Sequence, residues 1–236
     1  MSFKKYCEMY SYPRMMRYLN AAGGKKTLAK KMYVGNLRLA QAVHPLLGTF
    51  EVLLRNRICF VLESSLGDKE WILNQKTGLL DDISLRKIDP ATGKRENHSY
   101  FYREIEKAQK KITRDGRPVT SDAVVAELTF GFWSNLYEAG PYKLLKGAPI
   151  AVFSGKPKSV GRKDIWKMLD EIRRFRNRVS HNEPVCFDSG KYSLASFEIV
   201  YSELCDCTSY IEKNQIRFLR HTGLDNVKDV ISSLKK

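Results

Sequence analysis

From Asp164 onward the apolar residues Ile165, Met168, Leu169, Ile172, Phe175 and Val179 recur at i, i+3 and i+4. That period belongs to a helix with one buried stripe. The same spacing returns along the chain and rules out a sheet protein. A helix from near Thr27 to His44 is expected to carry Leu28, Met32, Leu37, Leu39 and Val43. Pro45 suits the first turn of a further helix holding Leu47, Phe50, Leu54, Ile58, Val61 and Leu62, with Gly67 after its end. Others are expected from Ser11-Tyr12-Pro13 to about Leu19, from about Ser99 to Arg114, and after the Thr120-Ser121-Asp122 cap. A long one is expected from about Leu194 to Leu219. No strand series and no internal repeat stand out. The expected class is all-α, as a single domain over 1–236. It comprises N-terminal helices at 1–70, a central loop and helices at 71–150, and a motif helix with C-terminal helices at 151–236.

Hydrophobic residues make up 43% of the chain, enough for a packed core. No run approaches 18 apolar residues, so no transmembrane helix is expected. The opening Met1-Ser2-Phe3-Lys4-Lys5-Tyr6 lacks an apolar signal core, which predicts a cytoplasmic protein. The five cysteines are Cys7, Cys59, Cys186, Cys205 and Cys207, and none forms a C-x-x-C pair. They are expected to be reduced thiols packed as small hydrophobes, and no metal or cofactor is expected. A net charge of +15 favours polyanionic partners without naming them.

The chemistry is concentrated where the motif helix ends, in Arg176-Asn177-Arg178-Val179-Ser180-His181-Asn182-Glu183-Pro184. An imidazole titrates near neutrality, so His181 can exchange a proton with a 2′-hydroxyl or a leaving oxygen. Arg176 can fork onto a phosphate and offset the charge that builds there. Asn177 and His181, four apart, share a polar flank, whereas Arg176 falls at the edge of the apolar stripe. Arg followed at this range by His is a weak pattern. With 4 His and 17 Arg in the chain, roughly one match arises by chance, and Arg38 with His44 and Arg174 with His181 also fit. Only Arg176 is followed directly by a polar amide and stands just before a helix-ending proline. The bland alternative is a snorkelling or carboxylate-paired Arg beside a solvated His.

Lys156, Lys158, Arg162 and Lys163 form a basic loop ahead of the motif helix, and with Arg178 they are candidate phosphate contacts. The loop lacks the spacing of a phosphate-cradling P-loop. Thr129 to Tyr137 is aromatic-rich, with helix packing the better expectation and base stacking the alternative. Glu51 and Arg55 are placed to pair on a helix flank, and Arg57 points toward the apolar side.

Several segments, in order, resemble the Abi-like family of bacterial abortive-infection proteins. They are Ser11-Tyr12-Pro13-Arg14 with Arg17-Tyr18-Leu19, Ala29 to Leu37, Phe50 to Ile58, Gly67-Asp68 before Trp71, Glu127 to Tyr137, and Arg176 to His181. Phe130-Gly131-Phe132-Trp133 is bulkier than that pattern. The family is a branch of the HEPN superfamily. The resemblance implies a HEPN-like helical bundle with an N-terminal helical extension, and metal-independent endoribonuclease activity at Arg176, Asn177 and His181. It also implies a composite site in a homodimer, a role in antiphage defence or as a toxin, and an RNA or protein antitoxin. The residues leave two alternatives open: a non-catalytic RNA-binding module, and a scaffolding helical protein whose charge keeps it in solution.

Overall fold

A computed structural model describes residues 1–221 and 224–234, and it is mostly helical. In chain order the helices are α1 (Phe3–Tyr10), α2 (Tyr12–Ala21), α3 (Lys26–Leu66) and α4 (Trp71–Asn74). There follow α5 (Tyr100–Arg114), α6 (Ser121–Glu127), α7 (Phe130–Asn135), α8 (Ala139–Leu144) and α9 (Arg162–Ser180). The last three are α10 (Ala195–Ile211), α11 (Lys213–His221) and α12 (Leu224–Leu234). Short 3₁₀ turns cover Leu79–Asp81, Ile83–Leu85 and Ala148–Phe153. No described helix is long and apolar enough to cross a membrane.

The chain divides into two compact units. Unit 1 comprises Met1–Phe50, Arg174–Thr208 and the described part of Lys213–Lys236. Unit 2 comprises Glu51–Arg173 and Ser209–Glu212.

Unit 1 gathers α1, α2, α11, α12 and most of α10 with the first part of α3 and the end of α9. Met15, Tyr18, Tyr33, Leu39, Phe50, Phe197 and Val227 are buried at its centre. Aromatic edges interlock there: Tyr18 meets Tyr33 at 5.4 Å and Phe187 at 5.2 Å, both edge-on, a geometry that ring quadrupoles favour.

Unit 2 is built on Leu54, Ile58, Trp71, Phe101, Ile105, Phe132, Trp133, Ile165 and Leu169, all buried. The 129–137 aromatics are part of this core, as packing rather than as an open stacking surface. Ser99 and Thr120 cap α5 and α6 by accepting hydrogen bonds from the amides of Tyr102 and Ala123. Both are short polar residues that satisfy orphan amides.

Three local expectations are corrected. Pro45 does not begin a helix; it lies inside the 41-residue α3. Apolar burial on either side (Val43, Leu46, Leu47 and Phe50) outweighs the lost amide. The expected helix at 194–219 is instead two, α10 and α11, with Glu212 outside both. At that point the Tyr210 carbonyl accepts from the Gly155 amide at 2.8 Å, and a Cβ on Gly155 would come within 3.1 Å of it. Two strands also exist, β1 (Phe187–Asp188) and β2 (Lys191–Tyr192), paired antiparallel. Ser189 and Gly190 turn between them with φ of 47° and 83°, as a tight hairpin requires. Two-residue strands are too short to leave an alternating signature in sequence.

Candidate functional site

The expected stripe on α9 forms: Ile165, Leu169 and Ile172 are buried in unit 2, and Phe175 and Val179 in unit 1. Met168 is half-buried. Phe175 sets its ring edge-on to Phe197 of α10 at 5.4 Å. This anchors the final turn, and Arg176, Asn177 and Arg178 emerge half-buried beside it.

The helix ends in a specific way. Asn182 takes a left-handed conformation, φ 54°, which Asn tolerates better than most residues. Its amide donates to the Val179 carbonyl at 3.1 Å, and the Glu183 amide donates to the Arg178 carbonyl at 2.8 Å. That pair of bonds is a Schellman closure, with His181 as the last half-helical residue. The His181 amide donates to the Asn177 carbonyl at 2.9 Å, one turn back. His181 is exposed, and its ring makes no hydrogen bond among the described residues.

The chain beyond is tied down. The Arg178 guanidinium donates to the Pro184 carbonyl and lies 4.0 Å from the Glu183 carboxylate. The buried Asn36 of α3 accepts from the Val185 amide at 2.7 Å. Next comes Cys186, whose thiol is pushed up to about 12, chiefly by burial. Cys59 is likewise pushed up to about 12, chiefly by burial, and all five cysteines are free. No cluster of three or more His, Cys, Asp or Glu side chains suited to a metal occurs among the described residues.

The basic loop belongs to unit 2. Arg162 is half-buried, donates to the Tyr137 carbonyl at 2.7 Å and stands 5.7 Å from the Tyr142 ring centre. Lys156 is half-buried, while Lys158 and Lys163 are exposed. Arg162 and Arg178 therefore each hold backbone, and Lys158 and Lys163 are the loop cations that reach water. Arg55 donates a long bond of 3.5 Å to the Ala126 carbonyl, with its Nε buried and without a hydrogen bond. Arg57 stands 5.2 Å from the Phe60 ring centre, and Glu51 is half-buried.

One constellation escaped sequence reading. In unit 2 the buried Asp81 accepts from the Ser99 amide at 2.7 Å and from Arg86 at 3.1 Å, and it meets His98 Nδ1 at 2.8 Å. The His98 ring stacks on Tyr102 at 3.8 Å. Burial works against the Asp81 anion, but the Ser99 amide, His98 and Arg86 outweigh it and hold the carboxyl below its usual range. The helix start near Ser99 was legible; nothing in the spacing of residues 81 and 98 joins them.

Comparison with protein-family models, with curated proteins and with solved structures gives no match.

Proposed function

We propose that this chain is a metal-independent endoribonuclease of HEPN type, acting as a toxin or abortive-infection effector. Arg176, Asn177 and His181 carry the reaction. The observation that supports the reading is the helix cap just described. It puts a water-facing imidazole, without a ring hydrogen bond among the described residues, one turn beyond Asn177, on a backbone fixed by Asn182, Arg178 and Asn36. A group that must accept a proton from a substrate has to be positioned without already being engaged.

In the proposed reaction His181 takes the proton of an RNA 2′-hydroxyl. The freed oxygen attacks the adjacent phosphorus, and the bond to the 5′-oxygen breaks. That oxygen leaves with a proton supplied by an acid, giving a 2′,3′-cyclic phosphate and a 5′-hydroxyl. Arg176 offsets the charge on the non-bridging oxygens. Asn177 orients the imidazole or the scissile group. Acid and base act on opposite oxygens, and one motif supplies one imidazole. The proposed assembly is therefore a homodimer in which two motifs face one strand.

The test is to incubate wild type and His181→Ala with RNA in EDTA and analyse both product ends and RNA retention. Cyclic-phosphate ends from wild type alone support the reading. Retention of RNA by both proteins with no products would make this a binding module. No salt-sensitive retention by either would leave a scaffold.

A further inference from the structure

Leu28, which the expected stripe would bury, and Val34 are exposed in α3 at 43% and 39%. They line a cavity of about 810 Å³ on unit 1, together with Tyr6, Lys30, Lys31, Arg38 and Tyr192. A second cavity, of about 500 Å³, shares Tyr192 and adds Arg17, Asn20 and Lys191. Five cations thus border two hollows that share Tyr192 in their linings, and among the described residues neither lining includes an Asp or Glu. Within the first cavity, Lys30 stands 6.0 Å from the Tyr6 ring centre and donates to the Met1 carbonyl at 3.0 Å. Tyr192 is half-buried and braced edge-on by Phe187 at 5.7 Å.

We propose that these two hollows bind single-stranded RNA, with bases stacked on Tyr192 and Tyr6 and phosphates held by Lys30, Lys31, Arg38, Arg17 and Lys191. Aromatic faces interleaved with cations are what an unpaired strand needs. Every base offers a π-face, and every link carries one negative charge. An RNA duplex hides its bases from such a groove. An acidic peptide would use the cations but leave the apolar wall of Leu28 and Val34 without a partner. A bilayer surface offers no planar bases for Tyr6 and Tyr192 to stack on. The inference deepens the proposed function, since it gives the substrate a second hold on the unit that carries His181. It rests on that reading for its purpose alone.

The test uses the full chain carrying His181→Ala, so that the probe survives, and a labelled 12-nucleotide single-stranded RNA. Lys31→Glu with Arg38→Glu should weaken binding at least about tenfold and flatten the salt dependence by about 1.4 log units per log unit. Both side chains are exposed, so thermal unfolding should not change. Tyr192→Ala should weaken binding about fivefold or more with the salt slope intact. Should Tyr192→Ala unfold, crosslinks from 4-thiouridine RNA to the Tyr192-intact chain should fall on Tyr6 and Tyr192. Binding within twofold of the parent for the charge reversal, crosslinks elsewhere, or equal competition by duplex RNA or polyglutamate would overturn the groove. Cleavage by the chain with His181 intact is scored separately, so either idea can fail without the other.

Discussion

His98 and His181 stand at opposite kinds of helix end and are held in opposite ways. His98 precedes the N-cap of α5, with one nitrogen on the buried Asp81 and one face against Tyr102. His181 follows the last turn of α9, with its backbone fixed and its ring unengaged among the described residues. Exposure separates them only in degree: His98 is half-buried with a side chain 44% exposed, and His181 is exposed. Tethering separates them in kind. Imidazole on carboxylate is the arrangement a hydrolase uses to orient a base. Here, however, the carboxylate also holds Ser99 and Arg86, so the pair works as a clasp on the start of α5. The lesson is that a paired histidine can be the structural one and an unpaired histidine the better candidate for chemistry.

The sharpest way to break this contrast is to remove each ring in turn. His181→Ala should lower RNA cleavage by about 10² to 10⁴, the usual worth of one positioned proton carrier, with the unfolding midpoint unmoved. His98→Ala should leave cleavage per folded molecule unchanged, and a large loss there would exchange the two roles. On stability the larger effect belongs to the carboxylate. Asp81→Ala strands a buried amide and should cost about 2–4 kcal/mol, read from urea unfolding. His98→Ala should cost about 1 kcal/mol or less, because its partly exposed ring is screened by water.

A smaller effect follows from Arg178, whose guanidinium is turned onto the Pro184 carbonyl. Arg178→Ala should loosen the turn beside His181 and reduce cleavage several-fold. RNA affinity and its salt slope should stay unchanged, whereas a fall in the slope would return Arg178 to phosphate binding. The smallest effect is on pH. Folded Asp81 ionises below the usual carboxylate range, so it binds fewer protons than the unfolded chain does. Its stabilisation is complete above about pH 3.9 and is lost as pH falls through the folded value. Urea midpoints measured from pH 5 downward should fall more steeply for wild type than for Asp81→Asn.

How much of this was legible depended on whether a feature is local. The α9 stripe, the start of α5 near Ser99 and the cap at Thr120 each arise from residues within a few positions of one another. All were readable from periodicity and capping chemistry. Pro45 misled because its cost is local while the burial that offsets it is not. Leu28 and Leu37 carried the right period, yet both are exposed, at 43% and 37%, because which face of α3 is covered depends on distant elements. The Asp81–His98 clasp and the groove at Tyr192 join residues far apart in sequence, and no spacing rule reaches them. Of the candidate site, the order Arg-Asn-x-x-x-His and the nearby Pro184 were visible. The left-handed Asn182, and the use of Arg162 and Arg178 as backbone anchors, were not.

Unit 1 draws its core from the first helices, from the segment after Arg174 and from the last helices, including Met15, Phe197, Val227 and Ile231. A growing polypeptide halted soon after His181 would already carry Arg176, Asn177 and His181 but not the rest of the core around them. The surroundings of that imidazole can therefore assemble only once α12 has been made. Fragments that keep the motif and drop α12 should be poor stand-ins for a chain that retains it.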